Sequence, residues 1–165
     1  PDAASPDDLS GGHGVLLATD AIQDPGNLGT MIRTAVWFGV EGVICGSGTV
    51  DLWNPKVVRS TAGATGLLPY TGGALEELLP RFESQGWRVI LLDGSPESKP
   101  LQSVKRAGRT VVVVGNEANG IRPELFGSRR ERVRIEGYPD RVESLNAAVA
   151  VGISLYRLAS PESKT

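Results

Sequence analysis

Hydrophobic residues along this chain fall in short continuous runs, and these runs alternate with segments in which apolar residues recur at helical spacing. The β-branched runs are typical of strands that are buried on both faces, as in a parallel sheet. Five strands are predicted in this way: GVLLATDAI (14–22), GVICG (42–46), WRVILLDG (87–94), TVVVVG (110–115) and RVRI (132–135).

Segments with helical spacing separate the predicted strands. Asn54 before Pro55 is typical of a helix start, because proline is tolerated in the first turn. Four helices are predicted: NLGTMIRTAVWFG (27–39), NPKVVRSTAGAT (54–65), ALEELLPRFESQG (74–86) and ESLNAAVAVGISLYRLA (143–159). The alternation predicts an α/β fold, with a mostly parallel sheet and helices on both faces.

The 165 residues, of which 40% are hydrophobic and 22% charged, suffice for one globular domain with a buried core. We expect this domain over 13–159, because residues 1–12 and 160–165 are rich in Pro, Ser and acidic residues and are typical of flexible tails. The chain begins with Pro1 instead of Met, so we expect 1–12 to be a linker from an upstream domain or the end of a processed protein.

Reactive side chains are scarce. The single cysteine, Cys45, excludes an intrachain disulfide and a multi-cysteine zinc site, and we expect a buried, inert thiol. The single histidine, His13, argues against a histidine-based triad and against a metal centre. Since no apolar run reaches membrane-spanning length and no signal pattern opens the chain, we expect a cytoplasmic protein without a membrane partner.

The net charge of −2 argues against a nucleic-acid partner, because phosphate binding ordinarily needs a basic surface. The local distribution weakens this objection. Lys56 and Arg59 are close in sequence, and SRRERVR (128–134) contains Arg129, Arg130 and two further arginines. These groups form either a solvated charged face or a surface for RNA.

Glycine is abundant at 21 residues, yet no segment matches the P-loop or the G-x-G-x-x-G dinucleotide pattern. Three polar clusters remain, and each follows a predicted strand or opens a predicted helix: DPGNLGTMIR (24–33), GNEANGI (115–121) and VESLNAA (142–148). In open α/β sheets, ligands bind at the carboxyl ends of the strands.

Each cluster taken singly has a structural explanation. Asn27 is suited to cap its helix and Arg33 to lie on a surface. Glu117 could accept backbone hydrogen bonds or cap the segment at Ile121, while Ser144 and Asn146 are ordinary residues at a helix start.

Taken together and in order, the clusters resemble the three motifs of the SpoU (TrmH-like) class of SPOUT RNA ribose 2'-O-methyltransferases, in particular the rRNA-modifying branch. NLGTMIR resembles the first motif, VVVVGNEANGI the second and ESLNAAVAVGISLYR the third. The segment between the first two, DLWNPKVVRSTAGATGLLPY, is also similar to that family. The resemblance covers residues 14–158.

The resemblance implies methylation of a ribose 2'-hydroxyl in structured RNA, with rRNA favoured over tRNA. It implies a deep trefoil knot in the C-terminal half, S-adenosylmethionine bound in that knot, no metal, and a homodimer that completes the active site. The catalytic residues would be Asn27, Arg33, Glu117, Ser144 and Asn146. The cofactor would contact Leu92, Asp93, Gly94, Val114, Gly115, Asn116, Gly120, Ile135, Ser144, Leu145 and Asn146. RNA would contact Arg33, Lys56, Arg59, Arg129 and Arg130.

Two departures from the family pattern stand near the third motif. Ile135 is followed by Glu136 where proline is common, and Ala147-Ala148 replaces a frequent Val-Ser. Three other readings stay open: a non-catalytic RNA- or cofactor-binding module of the same fold, a small-molecule α/β enzyme, and an RNA base methyltransferase.

Overall fold

The predicted parallel sheet is present, and all six pairs between its strands are parallel. The computed structural model describes residues 3–159. Seven strands adopt the order β3-β2-β1-β6-β4-β7-β5. They are β1 Val15–Asp20, β2 Gly42–Gly46, β3 Tyr70–Gly73, β4 Arg88–Leu92, β5 Lys99–Pro100, β6 Thr110–Gly115 and β7 Glu131–Arg134.

The two strands that the hydrophobic pattern missed, β3 and β5, are the outermost strands of the sheet. An outermost strand pairs on one side only, and neither carries a continuous apolar run. The five predicted strands are confirmed, and β7 begins one residue earlier than the pattern indicated.

Residues 3–159 form five α-helices, of which α2, α3 and α4 connect strands, while short 3-10 turns lie at Leu101–Ser103 and Pro123–Leu125. The helices are α1 Pro6–Ser10, α2 Pro25–Trp37, α3 Pro55–Ser60, α4 Leu75–Ser84 and α5 Ala147–Leu158. Helix α3 is shorter than predicted, because Ala62 and Gly63 adopt left-handed backbone conformations just after it. Helix α5 begins four residues later than predicted, since Asn146 is its N-cap.

Two hydrophobic clusters cover the two faces of the sheet, as the predicted architecture requires. Side chains of α2 and α5 pack with Val112 and Val114 on one face. Leu79 and Phe82 of α4 pack with Val111 on the other. The alternation of neighbouring valines in β6 between the two clusters explains why all four are buried.

The expectation of a flexible tail over residues 1–12 is wrong for the part that the structure describes from Ala4 to Ser10. Ser5 caps α1, and its Oγ accepts a hydrogen bond from the N–H of Asp8 at 3.2 Å. Leu9 is 5% exposed within the cluster that contains α4. The N–H of Ala4 also donates to the carbonyl of Tyr70 at 2.7 Å, which covers part of the β3 edge. The tail expected at 160–165 lies outside the described residues.

Cys45 is half-buried in β2. Burial raises the pKa of its thiol to about 12, against the weaker opposing effect of a hydrogen bond with Thr19. The thiol is therefore protonated at neutral pH, in agreement with the predicted inert role. Among residues 3–159, none of the helices combines the length and the apolar character needed to span a bilayer.

Candidate active site at the carboxyl edge of the sheet

The loops that the sequence assigns to a ligand lie side by side at one edge of the sheet. β6, β4 and β7 are neighbours, and Leu92 at the end of β4 is level with Val114 and Val133. The end of β1 adjoins the same edge, since Asp20 is level with Gly115. Parallel pairing therefore brings segments from four distant parts of the chain to one place.

The loop after β6 closes tightly on its own backbone. The N–H of Gly120 donates to the carbonyl of Asn116 at 2.9 Å. A Cβ atom on Gly115 would overlap the backbone of Gly120 and Ile121. Gly120 has φ +69°, a conformation that favours glycine. Both glycines are thus required by the fold of the loop, whatever the loop binds.

Glu117 anchors the loop that precedes α2. Its carboxylate accepts hydrogen bonds from the N–H of Gln23 at 3.3 Å, the N–H of Asp24 at 3.1 Å and the Nδ2 of Asn27 at 3.2 Å. Burial raises the pKa of Glu117, but these donors and its own backbone N–H outweigh burial and lower the pKa below its usual value. The side chain is therefore an ionised anchor that joins the first and second sequence clusters.

Asn27 does not cap α2. The cap is Asp24, whose Oδ1 accepts from the N–H of Asn27 at 2.7 Å. The Asn27 side chain instead contacts the third cluster, because its Oδ1 accepts from the Nδ2 of Asn146 at 2.9 Å. The Oδ1 of Asn146 in turn accepts from the N–H groups of Ala148 at 2.9 Å and Val149 at 3.2 Å.

These contacts form one hydrogen-bonded chain, Glu117–Asn27–Asn146–α5, with a fixed polarity. An ionised carboxylate only accepts and a helix N-terminus only donates, so both amide orientations between them are determined. Each side-chain NH₂ group donates one hydrogen bond within this network and has no second acceptor among residues 3–159. The site can therefore donate two hydrogen bonds to an acceptor oxygen of a ligand.

An open cleft of about 740 Å³ lies between α2 and α5 beside this chain. Small residues, among them Gly26 and Gly152, leave its floor accessible. The lining consists of Asp24, Gly26, Asn27, Thr30, Thr34, Ser60, Asn146, Ala148, Val149 and Gly152. The cleft is large enough for part of a nucleotide, and its lining mixes amide, hydroxyl and carboxylate side chains with small apolar residues.

Arg33 and Ser144 are not part of the hydrogen-bonded chain Glu117–Asn27–Asn146. Arg33 follows Asn27 by six residues along α2, so their side chains diverge by about 120° around the helix. Arg33 is exposed, and it forms no ion pair with any residue in the range 3–159. The hydroxyl of Ser144 is exposed and likewise makes no hydrogen bond within the described range.

Two residues predicted to contact a cofactor use their side chains within the protein. The Nδ2 of Asn116 donates to the carbonyl of Ala21 at 2.7 Å. Asp93 accepts from the Nε of Arg132 at 2.7 Å and from the Oγ of Ser98 at 2.9 Å. Burial raises the pKa of Asp93, and these donors lower it further than burial raises it. What these loops present to a ligand is backbone, as at Gly94, around which a Cβ would meet open space.

Arg130, which was predicted to contact RNA, uses its guanidinium within the protein. It pairs with both oxygens of Glu83 at 2.8 and 2.9 Å and donates to the carbonyl of Leu125. Arg129 is exposed but precedes β7, at the amino edge of the sheet, opposite the cleft. By contrast, Lys56 and Arg59 lie on α3 next to Ser60, which lines the cleft.

Sequence reasoning missed an ion-pair network beneath the site. Asp20 is fully buried, and its carboxylate accepts from the N–H of Arg122 at 2.9 Å and from its Nε at 2.8 Å. The Nη1 of Arg122 also donates to Glu76 at 2.6 Å. The hydrogen bond that Arg122 donates to Asp20 contributes most to raising the pKa of Arg122, and burial opposes it. The available sequence signal was Asp20, a charged residue at the end of the apolar run of β1, since a buried carboxylate needs a cationic or hydrogen-bonding partner.

Acidic, histidine and cysteine side chains do not gather in groups of three or more that could hold a metal ion anywhere in residues 3–159. The polar chemistry of the site consists of amides, hydroxyls, the carboxylates of Asp24 and Glu117, and backbone groups. Groups of this kind are suited to hydrogen-bond a ligand.

The sequence and the fold are similar to those of RNA methyltransferases. The model of the SpoU rRNA Methylase family matches residues 14–156. An uncharacterized tRNA/rRNA methyltransferase of Synechocystis is 39% identical over 142 residues, which are 85% of this chain and 51% of that protein. The Bacillus subtilis 23S rRNA (guanosine(2553)-2'-O)-methyltransferase RlmP is 36% identical over 146 residues, 87% of this chain and 57% of that protein.

A solved structure gives the same result. The AdoMet-bound rRNA methyltransferase of Sinorhizobium meliloti superposes with a TM-score of 0.86 at 29% identity, covering 94% of this chain and 60% of that chain. The chain thus spans between 51% and 57% of the length of the two curated relatives above.

Proposed function

The chain belongs to the SpoU rRNA Methylase family, and on that basis we propose that it methylates a ribose 2'-hydroxyl of structured RNA, with S-adenosylmethionine as donor and rRNA favoured over tRNA. The observation that carries the proposal is the chain Glu117–Asn27–Asn146, which joins the polar residues of three sequence motifs at the carboxyl edge of the sheet. A cytoplasmic location follows from the proposed substrate.

The residues at the edge of the sheet are suited to S-adenosylmethionine. Three adjacent strand ends offer backbone donors and acceptors for an adenine edge and a ribose. The loop after β7 exposes apolar side chains next to them, including Tyr138, Val142 and Leu145, which are 77%, 68% and 49% exposed. An adenosyl group would bury such surface. When bound, the cofactor supplies an electrophilic methyl group.

The chain's own residues must position the 2'-hydroxyl and receive its charge as the proton departs. The free N–H bonds of Asn27 and Asn146 can orient that hydroxyl or a neighbouring oxygen. Glu117 is a poor proton acceptor at neutral pH, because its pKa is lowered and its oxygens are already occupied. The Arg33 guanidinium is a planar hydrogen-bond donor with no acceptor atom, so its proposed role is to hold the adjacent phosphate and stabilise developing oxyanion charge.

A homodimer is part of the proposal, because Arg33 diverges from Asn27 in its own chain. An apolar stripe runs along α5 through Val149, Ile153 and Tyr156, which are 50%, 39% and 71% exposed. Trp37, one turn beyond Arg33 on α2, is 82% exposed, and the ring of its neighbour Phe38 meets Tyr156 edge to face at 6.1 Å. Pairing of two copies through this stripe would cover the apolar surface and bring Arg33 of one copy toward the cleft of the other.

The knotted backbone completes the proposal. In the sheet, β7 lies between β4 and β5, so a later segment of the chain pairs between two strands that precede it in sequence. This order and the family membership support a trefoil knot in the C-terminal half.

The test combines three measurements on the intact chain: calorimetry with S-adenosylhomocysteine, mass in solution, and transfer of labelled methyl groups to undermethylated ribosomal RNA. We expect saturable binding by a dimer, and label recovered as a 2'-O-methylnucleoside after digestion. Label on a base would contradict ribose chemistry. Cofactor binding without any transfer would favour the non-catalytic module of the same fold.

A matched pair of variants tests the assembly. Trp37→Asp should shift the mass toward a monomer and abolish transfer, whereas Trp53→Phe, away from the stripe, should leave the mass unchanged. A Trp37→Asp variant that remains a dimer would refute the proposed interface.

A further inference from the structure

An aromatic side chain on the surface beside α3 is held in a fixed position. The indole of Trp53 donates from Nε1 to the Oη of Tyr70 at 3.1 Å, and the two rings meet edge to face at 6.2 Å. The backbone N–H of Trp53 also donates to the Oδ1 of Asp51 at 3.0 Å. The ring nevertheless remains 39% exposed. A rigid, partly exposed indole offers an apolar face at little further entropic cost.

Two cations follow this indole closely along the chain. Lys56 and Arg59 are three residues apart on α3, so they share one exposed side of the helix. Neither forms an ion pair with another residue of the described range, whereas many other arginines do. The paired arginines include Arg81 with Asp7, Arg122 with Asp20, Arg130 with Glu83 and Arg132 with Asp93.

Helix α3 connects this surface with the cleft. A Cβ on Gly29 of α2 would overlap Ser60, so the two helices are in close contact, and Ser60 lines the cleft. Trp53 and Ile32 of α2 line a second, smaller cavity together with Ala64 and Thr65, which follow α3 in the chain. Trp53 comes before α3 and Ser60 ends it, and the six residues of α3 span about 9 Å, a length comparable to one or two nucleotides of an extended strand.

An exposed aromatic ring with adjacent cations suits single-stranded RNA. Unpaired bases stack on aromatic side chains while their phosphates pair with lysine and arginine. A base within a duplex is covered by its neighbours and is not accessible to such a ring. The charge of this surface is opposite to that of the RNA, although the chain as a whole is acidic.

We propose that Trp53, Lys56 and Arg59 form a subsite for unpaired RNA that flanks the nucleotide in the cleft. The indole stacks on a base, and the two cations neutralise phosphates. The inference rests on the proposed function and extends it: the enzyme selects a target within or next to a single-stranded segment. This subsite replaces the 129–134 arginines as the main basic contact.

The test measures the affinity of the whole chain for a short oligouridine strand and for a fully paired RNA duplex of equal length, by fluorescence anisotropy. Trp53→Ala should weaken binding of the single strand by about 5- to 150-fold, the range found for one stacked base. Trp53→Phe should recover most of the affinity, because it keeps an aromatic face. Duplex binding should change much less.

Arginine variants provide the matched control. Arg59→Ala should reduce affinity and lower the slope of log affinity against log salt by about 0.7, as expected for one phosphate contact on a single strand. Arg129→Ala removes an equally exposed arginine from the opposite edge and should leave both quantities unchanged. Equal effects of these two variants would overturn the subsite.

Binding of S-adenosylhomocysteine, measured for every variant, separates the two hypotheses and reports folding. If the chain binds S-adenosylhomocysteine but Trp53→Ala and Trp53→Phe bind the strand as well as the parent does, the subsite is refuted and the proposed function stands. The same conclusion follows if the parent binds no single-stranded RNA. If the parent does not bind S-adenosylhomocysteine, the proposed function fails whatever the RNA result.

Discussion

Replacing Asn146 with aspartate separates the two roles of this residue. Asn146 caps α5 through its Oδ1 and orients Asn27 through its Nδ2. Aspartate keeps the accepting oxygen and adds a charge that the helix N-terminus favours by about 0.3–1 kcal/mol. It has no N–H to donate, so a carboxylate oxygen would face the Oδ1 of Asn27 instead.

The expected magnitudes differ between Asn146→Asp and Asn146→Ala. Alanine loses the cap, worth about 1 kcal/mol, and the bond to Asn27, worth about 1 kcal/mol, so the free energy of unfolding should fall by about 2 kcal/mol. For a chain of this size, that lowers Tm by about 4–8 °C. Aspartate loses the bond but keeps the cap and gains from the dipole, so its stability should stay within about 1 kcal/mol of the parent.

Turnover should fall in Asn146→Asp although its stability is largely kept. In Asn146→Asp, the repulsion turns Asn27 away from Glu117 and from the cleft, and kcat for methyl transfer should fall at least about tenfold. The assay pairs urea unfolding with labelled methyl transfer to undermethylated ribosomal RNA. Two results would refute the reasoning: an Asn146→Asp variant as unstable as Asn146→Ala, or one that is stable and fully active.

Three further substitutions test the loops around the site. Glu117→Gln should reduce stability at neutral pH and flatten its acid dependence. The native pKa of Glu117 is lowered by its hydrogen-bond donors, so its contribution is complete above the reference value of 4.5 and is lost as pH falls through the lower native pKa; urea midpoints of parent and variant should therefore converge in acid, and a constant difference between them would contradict this role. Gly115→Ala should cost about 3 kcal/mol or more and abolish S-adenosylhomocysteine binding in calorimetry, because the added Cβ overlaps the backbone at Gly120; unchanged binding would contradict the closed loop. Ala21→Gly should raise Tm by about 2–4 °C, since Ala21 has φ +56° and glycine adopts this conformation without strain; a lower Tm in differential scanning calorimetry would show that chain entropy outweighs that relief.

The fold class could be predicted from the sequence because buried strands and helices require local patterns of apolar residues. A strand covered on both faces needs a continuous apolar run, as in Val111 to Val114, and a helix on the sheet needs apolar residues at helical spacing. The apolar pattern is weaker in an outermost strand, which pairs with a neighbouring strand on one side only, so β3 and β5 were missed. The short helix α1 was missed because its composition is that of a tail, and only its last two residues, Leu9 and Ser10, are buried.

The candidate site was accessible only as three separate clusters and a family resemblance. That Glu117 contacts Asn27, and Asn27 contacts Asn146, depends on strand register and helix packing across 90 and 119 residues of sequence. Spacing along the chain carries no information about such contacts.

The arginines show most clearly what sequence left open. A run such as SRRERVR has the same composition whether it binds phosphate or carboxylate, and only the fold places Glu83 against Arg130 and Asp93 against Arg132. The sequence by itself determined the buried strands, the order of the motifs and the residue types at the site. The tertiary structure decided which charges are paired within the protein and which face solvent, because pairing depends on distances between residues that only folding brings together.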